Sequence, residues 1–167
     1  EALQKAKTEN KLIFVDCYTS WCGPCRNMAE HIFPQKKVGD YFNSKFVCVK
    51  YDMEKGEGPE LSKRFGVRAY PTFLVLRADG TLVHKFVGGR DVDGIIQSTE
   101  EAFDSSTASE ALRESYNAGN RDKSFLLKYL KVLMNFYDPQ VNVVAEELMD
   151  QLSSTEKVAE EYWFVYT

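Results

Sequence analysis

The sequence predicts an α/β domain, a mixed central sheet flanked by helices, followed by an all-α segment. Strand-like and helix-like patterns alternate over the first hundred residues, and no strand pattern recurs from Ser105 onward. Charge divides the chain at the same place. Residues 1–104 carry 15 basic and 15 acidic groups, whereas residues 105–167 carry 6 and 10. A domain over 1–104 and an acidic helical module over 105–167 are therefore expected.

Glu1 to Glu9 reads as a helix with Leu3 and Ala6 on one face. Lys11 to Tyr18 follows as a continuous apolar strand, the kind buried on both faces of a parallel sheet. Cys22 to about Phe33 reads as a helix that Pro34 interrupts or ends, because proline lacks the amide a helix interior needs. Phe46 to Tyr51 is a second apolar strand. Between Pro59 and Gly66 a short helix is framed by proline in its first turn and glycine just past its end. Thr72 to Leu76 and Thr81 to Val87 are strands, and Ala78-Asp79-Gly80 between them is a hairpin turn, so this pair should be antiparallel. Asp91 to Phe103 closes the domain as a helix.

Helical spacing then runs through Ser109 to Ala118, Asp122 to Tyr137, Pro139 to Leu152 and Glu156 to Tyr166. Gly119 supplies a stop, Pro139 a start, and Ser153 with Glu156 a capping box. The aromatic end Tyr162-Trp163-Phe164 suggests packing on the first domain or continuation into a longer helical array.

No apolar run approaches the roughly 18 residues of a membrane helix, so no membrane insertion is expected. The chain carries no basic stripe, which argues against nucleic acid as a partner. It opens on Glu rather than Met, with no basic stretch leading into an apolar one, and reads either as a processed product or as a trimmed chain, so an export signal removed before Glu1 is compatible with it.

Trp21-Cys22-Gly23-Pro24-Cys25 lies where the first strand hands over to its helix. Cysteines at i and i+3 share a helical face, so their sulfurs can reach bonding distance. At a helix start, free amides and the positive dipole end stabilise a thiolate and lower its pKa from about 8.5 toward neutrality. Cys22 is then the nucleophile and Cys25 the resolving thiol. A zinc knuckle would need a second paired set of ligands, and Cys17, Cys48, His31 and His84 are scattered without ligand spacing. The strand-turn-helix context favours the redox reading over an inert structural disulfide. Neither a metal nor a cofactor is called for.

Val15-Asp16, Trp21-Cys22-Gly23-Pro24-Cys25, Tyr70-Pro71-Thr72 before a strand, and Val87-Gly88 before the last helix resemble the thioredoxins over residues 1 to about 104. The resemblance implies the thioredoxin fold and a protein-disulfide reductase. It implies that Pro71 is a cis-proline against the active-site disulfide, that Trp21, Gly23, Pro24, Tyr70 and Pro71 border a substrate groove, and that Gly88 leaves room for the substrate backbone. Asp16 corresponds to a buried carboxyl that takes the proton of Cys25. Counting back from Asp52, Cys48 falls where many family members carry a lysine, so Asp16 is expected to lack its usual basic neighbour. Cys17 and Cys48 are read as small buried hydrophobes, His31 and His84 as solvated, and Met28 and Ile32 as core. The segment 54–58 reads as a linker.

The leading function is reduction of protein disulfides, with electrons supplied by an upstream reductase or a membrane-bound thiol carrier. A disulfide oxidase or isomerase, and a docking domain carrying a helical interaction scaffold, are the alternatives. A monomer is expected, in the periplasm or otherwise exported, with the cytoplasm as the alternative.

Overall fold

The computed structural model describes residues 1–166. Its contacts divide the chain into two compact units, one spanning Glu1–Leu112 and the other beginning at Arg113. In the first unit the elements run α1 (Ala2–Glu9), β1 (Leu12–Tyr18), α2 (Gly23–Asn27) with a π-helical turn (Met28–Ile32), α3 (Lys36–Lys45), β2 (Phe46–Asp52), α4 (Gly58–Phe65), β3 (Thr72–Leu76), β4 (Leu82–Val87) and α5 (Val92–Glu100), which tightens into a 3-10 turn over Glu101–Phe103. The four strands form one mixed sheet in the order β2-β1-β3-β4. β1 runs parallel to β2, joined by the α2–α3 crossover, and antiparallel to β3; β3 and β4 form the expected antiparallel hairpin.

The two faces of β1 follow from strand alternation. Ile13, Val15 and Cys17 point into one cluster with Ala6, Val47, Met53, Phe65, Val67, Leu74 and Leu76. Phe14 points the other way into an aromatic layer, stacked on Phe73 at 5.5 Å and edge-on to Phe42 at 4.5 Å. Asp16, two residues on from Phe14, shares that second face. This places a carboxyl beneath the segment that bears the cysteines.

The single helix expected over 22–33 is corrected: α-helical bonding ends at Asn27, and the Phe33 amide reaches back five residues to the Met28 carbonyl at 2.9 Å. Such π turns cluster near functional sites. Helix α3 has no counterpart among the elements expected from the sequence. α4 behaves as its punctuation predicts, closing on Gly66 at φ 61°.

α6 (Ser109–Asn117) straddles the division between the units. The second unit holds α7 (Lys123–Asn135) and α8 (Val141–Gln151). Leu126, Tyr129, Leu130 and Leu133 of α7 and Val144 and Leu148 of α8 are buried, a stripe at helical spacing. The α-helix expected over 156–166 is instead two 3-10 segments, Glu156–Val158 and Glu160–Tyr166. The capping box forms: the Ser153 N–H donates to Glu156 Oε2 at 2.9 Å and the Glu156 N–H to Ser153 Oγ at 3.3 Å. Among the described residues no helix is long and apolar enough to cross a membrane.

Candidate active site

Cys22 and Cys25 are joined by a disulfide, with their Cα atoms 5.3 Å apart. β1 delivers the chain to Thr19, whose carbonyl accepts the Cys22 N–H at 3.2 Å, and Cys22 then caps α2 in an extended conformation. Its Sγ accepts the Cys25 N–H at 3.1 Å. The sulfur thus fills the role that a side-chain oxygen plays at an ordinary helix cap. Once the bond is reduced, a donor aimed at this sulfur favours thiolate over thiol. Pro24 in the first turn forfeits an amide that would have had no helical partner.

An apolar ledge borders the disulfide. Trp21 is 63% exposed and packs edge-on against Tyr70 at 5.8 Å. The Tyr70–Pro71 peptide is cis. The Pro71 carbonyl accepts the Gly88 N–H at 2.8 Å, and Gly88 sits at φ 94°, a conformation that favours glycine. Trp21, Tyr70, Pro71 and Gly88 therefore form a continuous line of contacts.

Asp16 is 8% exposed, and among the described residues its Oδ1 has no hydrogen-bond partner. Burial pushes its pKa up to about 6, against the pull of Lys50. An open cleft of about 190 Å³ is lined by Asp16, Cys22, Cys25, Arg26 and Lys50, among others, so the acid and both cysteines border one space. A group that is half-ionised near pH 6 can exchange a proton with a thiol at physiological pH.

Residues 1–101 match the family model of thioredoxin. The chain belongs to the thioredoxin family. It is 42% identical over 91 residues to thioredoxin H4 of Arabidopsis thaliana, which covers 54% of this chain and 71% of that protein. It is 30% identical over 89 residues to a protein disulfide-isomerase of Datisca glomerata, 53% of this chain but only 18% of that protein's length. Among solved structures, a putative disulphide-isomerase from Bacteroides thetaiotaomicron superposes with a TM-score of 0.57 at 46% identity, over 62% of this chain and 85% of that one.

Within the thioredoxin domain, several residues act where the sequence reading assigned nothing. The basic neighbour of Asp16 is present after all: the parallel register sets Tyr18 opposite Asp52, hence Asp16 opposite Lys50, while Cys48 falls opposite Phe14. Glu54, in the segment read as a linker, accepts the Trp21 indole N–H at 2.9 Å. The Arg90 amide donates to Met28 Sδ at 3.3 Å, tying the Gly88–Arg90 segment to the cysteine-bearing helix. Glu54 and Arg90 carry no sequence signal beyond charge, because each is defined by what it touches across the fold.

Cys17 is buried as expected, on the face of β1 opposite Asp16, and desolvation pushes its thiol up to about 12. Cys48 is exposed rather than buried, because β2 is an edge strand. Desolvation by the atoms packed around it still pushes its thiol up to about 11, against the pull of Lys11, which favours the neutral thiol. Met28 is fully buried and Ile32 half-buried; His31 is exposed. His84 is not solvated but 2% exposed, its Nδ1 accepting the Ser109 N–H at 3.0 Å. Among the described residues no group of three or more His, Cys, Asp or Glu side chains could hold a metal ion.

Proposed function

We propose that the chain reduces protein disulfides by dithiol-disulfide exchange through Cys22 and Cys25. The observation that carries this reading is the shared cleft, whose lining includes a cysteine with a capped sulfur, its disulfide partner and a buried acid of raised pKa. In the reduced chain, the Cys22 thiolate attacks one sulfur of a substrate disulfide, forming a mixed disulfide and expelling the other substrate sulfur as thiolate. Cys25 gives its proton to Asp16 and attacks Cys22 Sγ. The Cys22–Cys25 bond forms, the second substrate thiolate leaves, and two electrons have passed from the chain to the substrate. Electrons move only between sulfurs, so the cycle calls for no metal or cofactor.

In this proposal Trp21, Gly23, Pro24, Tyr70, Pro71 and Gly88 hold an extended, disulfide-bearing segment of the substrate. An upstream dithiol donor, either a reductase or a membrane-bound thiol carrier, restores the reduced pair. The monomeric chain works as a thioredoxin domain over 1–104 with a helical module over 105–167. A periplasmic or otherwise exported site of action belongs to the same proposal, because disulfide-bearing proteins accumulate in oxidising compartments. The cytoplasm is the alternative, and cell fractionation separates the two.

Trapping tests the reading. Cys25→Ser should accumulate a mixed disulfide with substrate protein, visible on a non-reducing gel, because the resolving thiol is gone; Cys22→Ser should trap none. Trapping by both variants alike, or by neither, would overturn it. The 46% identity to a protein described as a disulphide-isomerase favours a second reading, oxidation or isomerisation. The reduction potential discriminates: about −270 mV supports a reductase, and about −120 to −180 mV supports the second reading.

A further inference from the structure

We propose that Arg90 is the specificity-determining residue of the substrate groove, selecting disulfide segments that carry an acidic side chain beside the Gly88 wall. The inference rests on the dithiol reading above and concerns which substrates that site prefers.

Arg90 is half-buried, and its guanidinium is held in place rather than free in solvent. Nη1 donates to the Gly88 carbonyl at 3.2 Å and to the Gly89 carbonyl at 3.1 Å. A Cβ on Gly88 would come within 3.1 Å of the same nitrogen, so the guanidinium occupies the space beside the glycine that bonds Pro71. The segment is fixed from its other side too. The Arg90 amide bonds Met28 Sδ, and a Cβ on Gly89 would meet Pro24 Cβ at 3.7 Å, between the two cysteines in sequence. The charge thus stands at the end of the line Trp21, Tyr70, Pro71, Gly88.

Guanidinium presents five N–H donors, and the contacts to Gly88 and Gly89 both fall to Nη1. Nε and Nη2 remain as a fork that matches a carboxylate. Among the described residues no carboxylate pairs with Arg90. Asp91, next in sequence, is turned away to cap α5, accepting the Gly94 N–H at 2.8 Å. At the other end of the line, Glu54 is engaged by the Trp21 indole. The apolar line is therefore bracketed by opposite charges, with an acid behind Trp21 and a base beside Gly88. A substrate carboxylate entering at the Gly88 end meets a pre-positioned cation whose carbonyl anchors already limit its rotamers.

The test uses the reduced full chain and two peptide disulfides identical except for Glu or Lys on either side of the reactive cysteine. The rate of single-turnover exchange is measured for each. The wild-type chain should favour the Glu peptide about two- to fivefold, the range of a partly exposed ion pair, and the preference should shrink at high salt. Arg90→Met should bring the ratio close to one, Arg90→Glu should invert it, and Arg90→Lys should keep part of it. An unchanged ratio in Arg90→Glu would overturn the assignment, as would an equal slowing of both peptides by Arg90→Met with the ratio retained. Failure of the wild-type chain to react with either peptide would overturn the dithiol reading itself, whereas equal rates on both would overturn only the role of Arg90.

Discussion

Asp16→Asn should make the oxidised protein more stable at neutral pH, and the gain should disappear in acid. The wild-type carboxyl is 8% exposed, finds no partner for Oδ1 among the described residues, and has its pKa raised from 3.8 to about 6 by burial, with Lys50 pulling it partly back. The folded pKa lies above the unfolded one, so between these values the native state holds a proton that the unfolded state has released. Stability therefore falls as pH rises from 3.8 to 6. At 1.36 kcal/mol per pKa unit the full shift is worth about 3 kcal/mol, nearly all of it expressed above pH 6. Asparagine keeps the volume and polarity of the neutral acid and removes only the ionisation. The stability difference between variant and wild type should start near zero at pH 3, climb through the window, and level off near 3 kcal/mol at pH 8.

Urea unfolding at half-unit steps from pH 3 to 8 measures this, with both Cys22 and Cys25 in the disulfide so that neither titrates. The chain has two tryptophans, Trp21 in the first unit and Trp163 in the second. A Trp163→Phe background lets Trp21 fluorescence report the first unit alone, which matters because two units need not unfold together. A difference that stays flat across the window would refute the assignment of a raised pKa to this carboxyl. A variant less stable than wild type at pH 8 would refute the claim that the buried charge is a cost. The same variant should resolve the mixed disulfide more slowly, since Cys25 loses its proton acceptor. Stability would then rise as function falls, the usual relation at a site that keeps a charge buried for its chemistry.

Three further outcomes follow from individual contacts. His84 has its pKa lowered to about 4 by desolvation, so its folded value lies below the unfolded 6.5; its contribution is intact above 6.5 and is lost as pH falls toward 4. His84→Gln should therefore remove about 3 kcal/mol of acid-induced destabilisation, read as a gain over wild type in urea midpoints at pH 4 relative to pH 7. In the wild-type chain this slope opposes that of Asp16 between pH 4 and 6, so the two single variants should show opposite trends where the parent is nearly flat. Gly58→Ala should cost at least about 3 kcal/mol, measured by thermal melting, because its Cβ would stand 1.9 Å from the Asp52 carbonyl oxygen, a clash with backbone that no rotamer relieves.

The elements that were legible from sequence are those whose pattern is set locally. β1 is a run of apolar residues buried on both faces, α4 is bracketed by Pro59 and Gly66, and the β3–β4 hairpin carries its own turn. The cysteine pair was legible for the same reason, since three residues of helix bring both sulfurs together without help from the rest of the chain. Helix α3 escaped because its buried side is only Val38 and Phe42, a single i, i+4 pair with Gly39 between them. What decides that it is helical is the aromatic layer into which Phe42 packs, edge-on to Phe14. Lys50 escaped for a related reason. Which β2 residue faces Asp16 depends on a parallel register that the α2–α3 crossover sets, and no local signal reports it.

His84 shows how a polar residue on a sheet edge can still belong to a core. β4 has β3 on one side only, and its other side would present unpaired amides to solvent. The chain following α5 closes part of that edge: the Lys85 N–H donates to Ser109 Oγ at 3.0 Å, and the Ser109 N–H donates to His84 Nδ1. The imidazole accepts through one nitrogen and so must stay neutral to do it, which is why burial and a lowered pKa go together here. Composition changes after Asp104, but this exchange of hydrogen bonds ties Ser109 to the sheet, and the compact unit accordingly runs on to Leu112. A chain cut at Asp104 would leave the Lys85 amide and His84 Nδ1 without these partners. Such a shortened thioredoxin domain should lose stability by more than its missing apolar contacts alone account for.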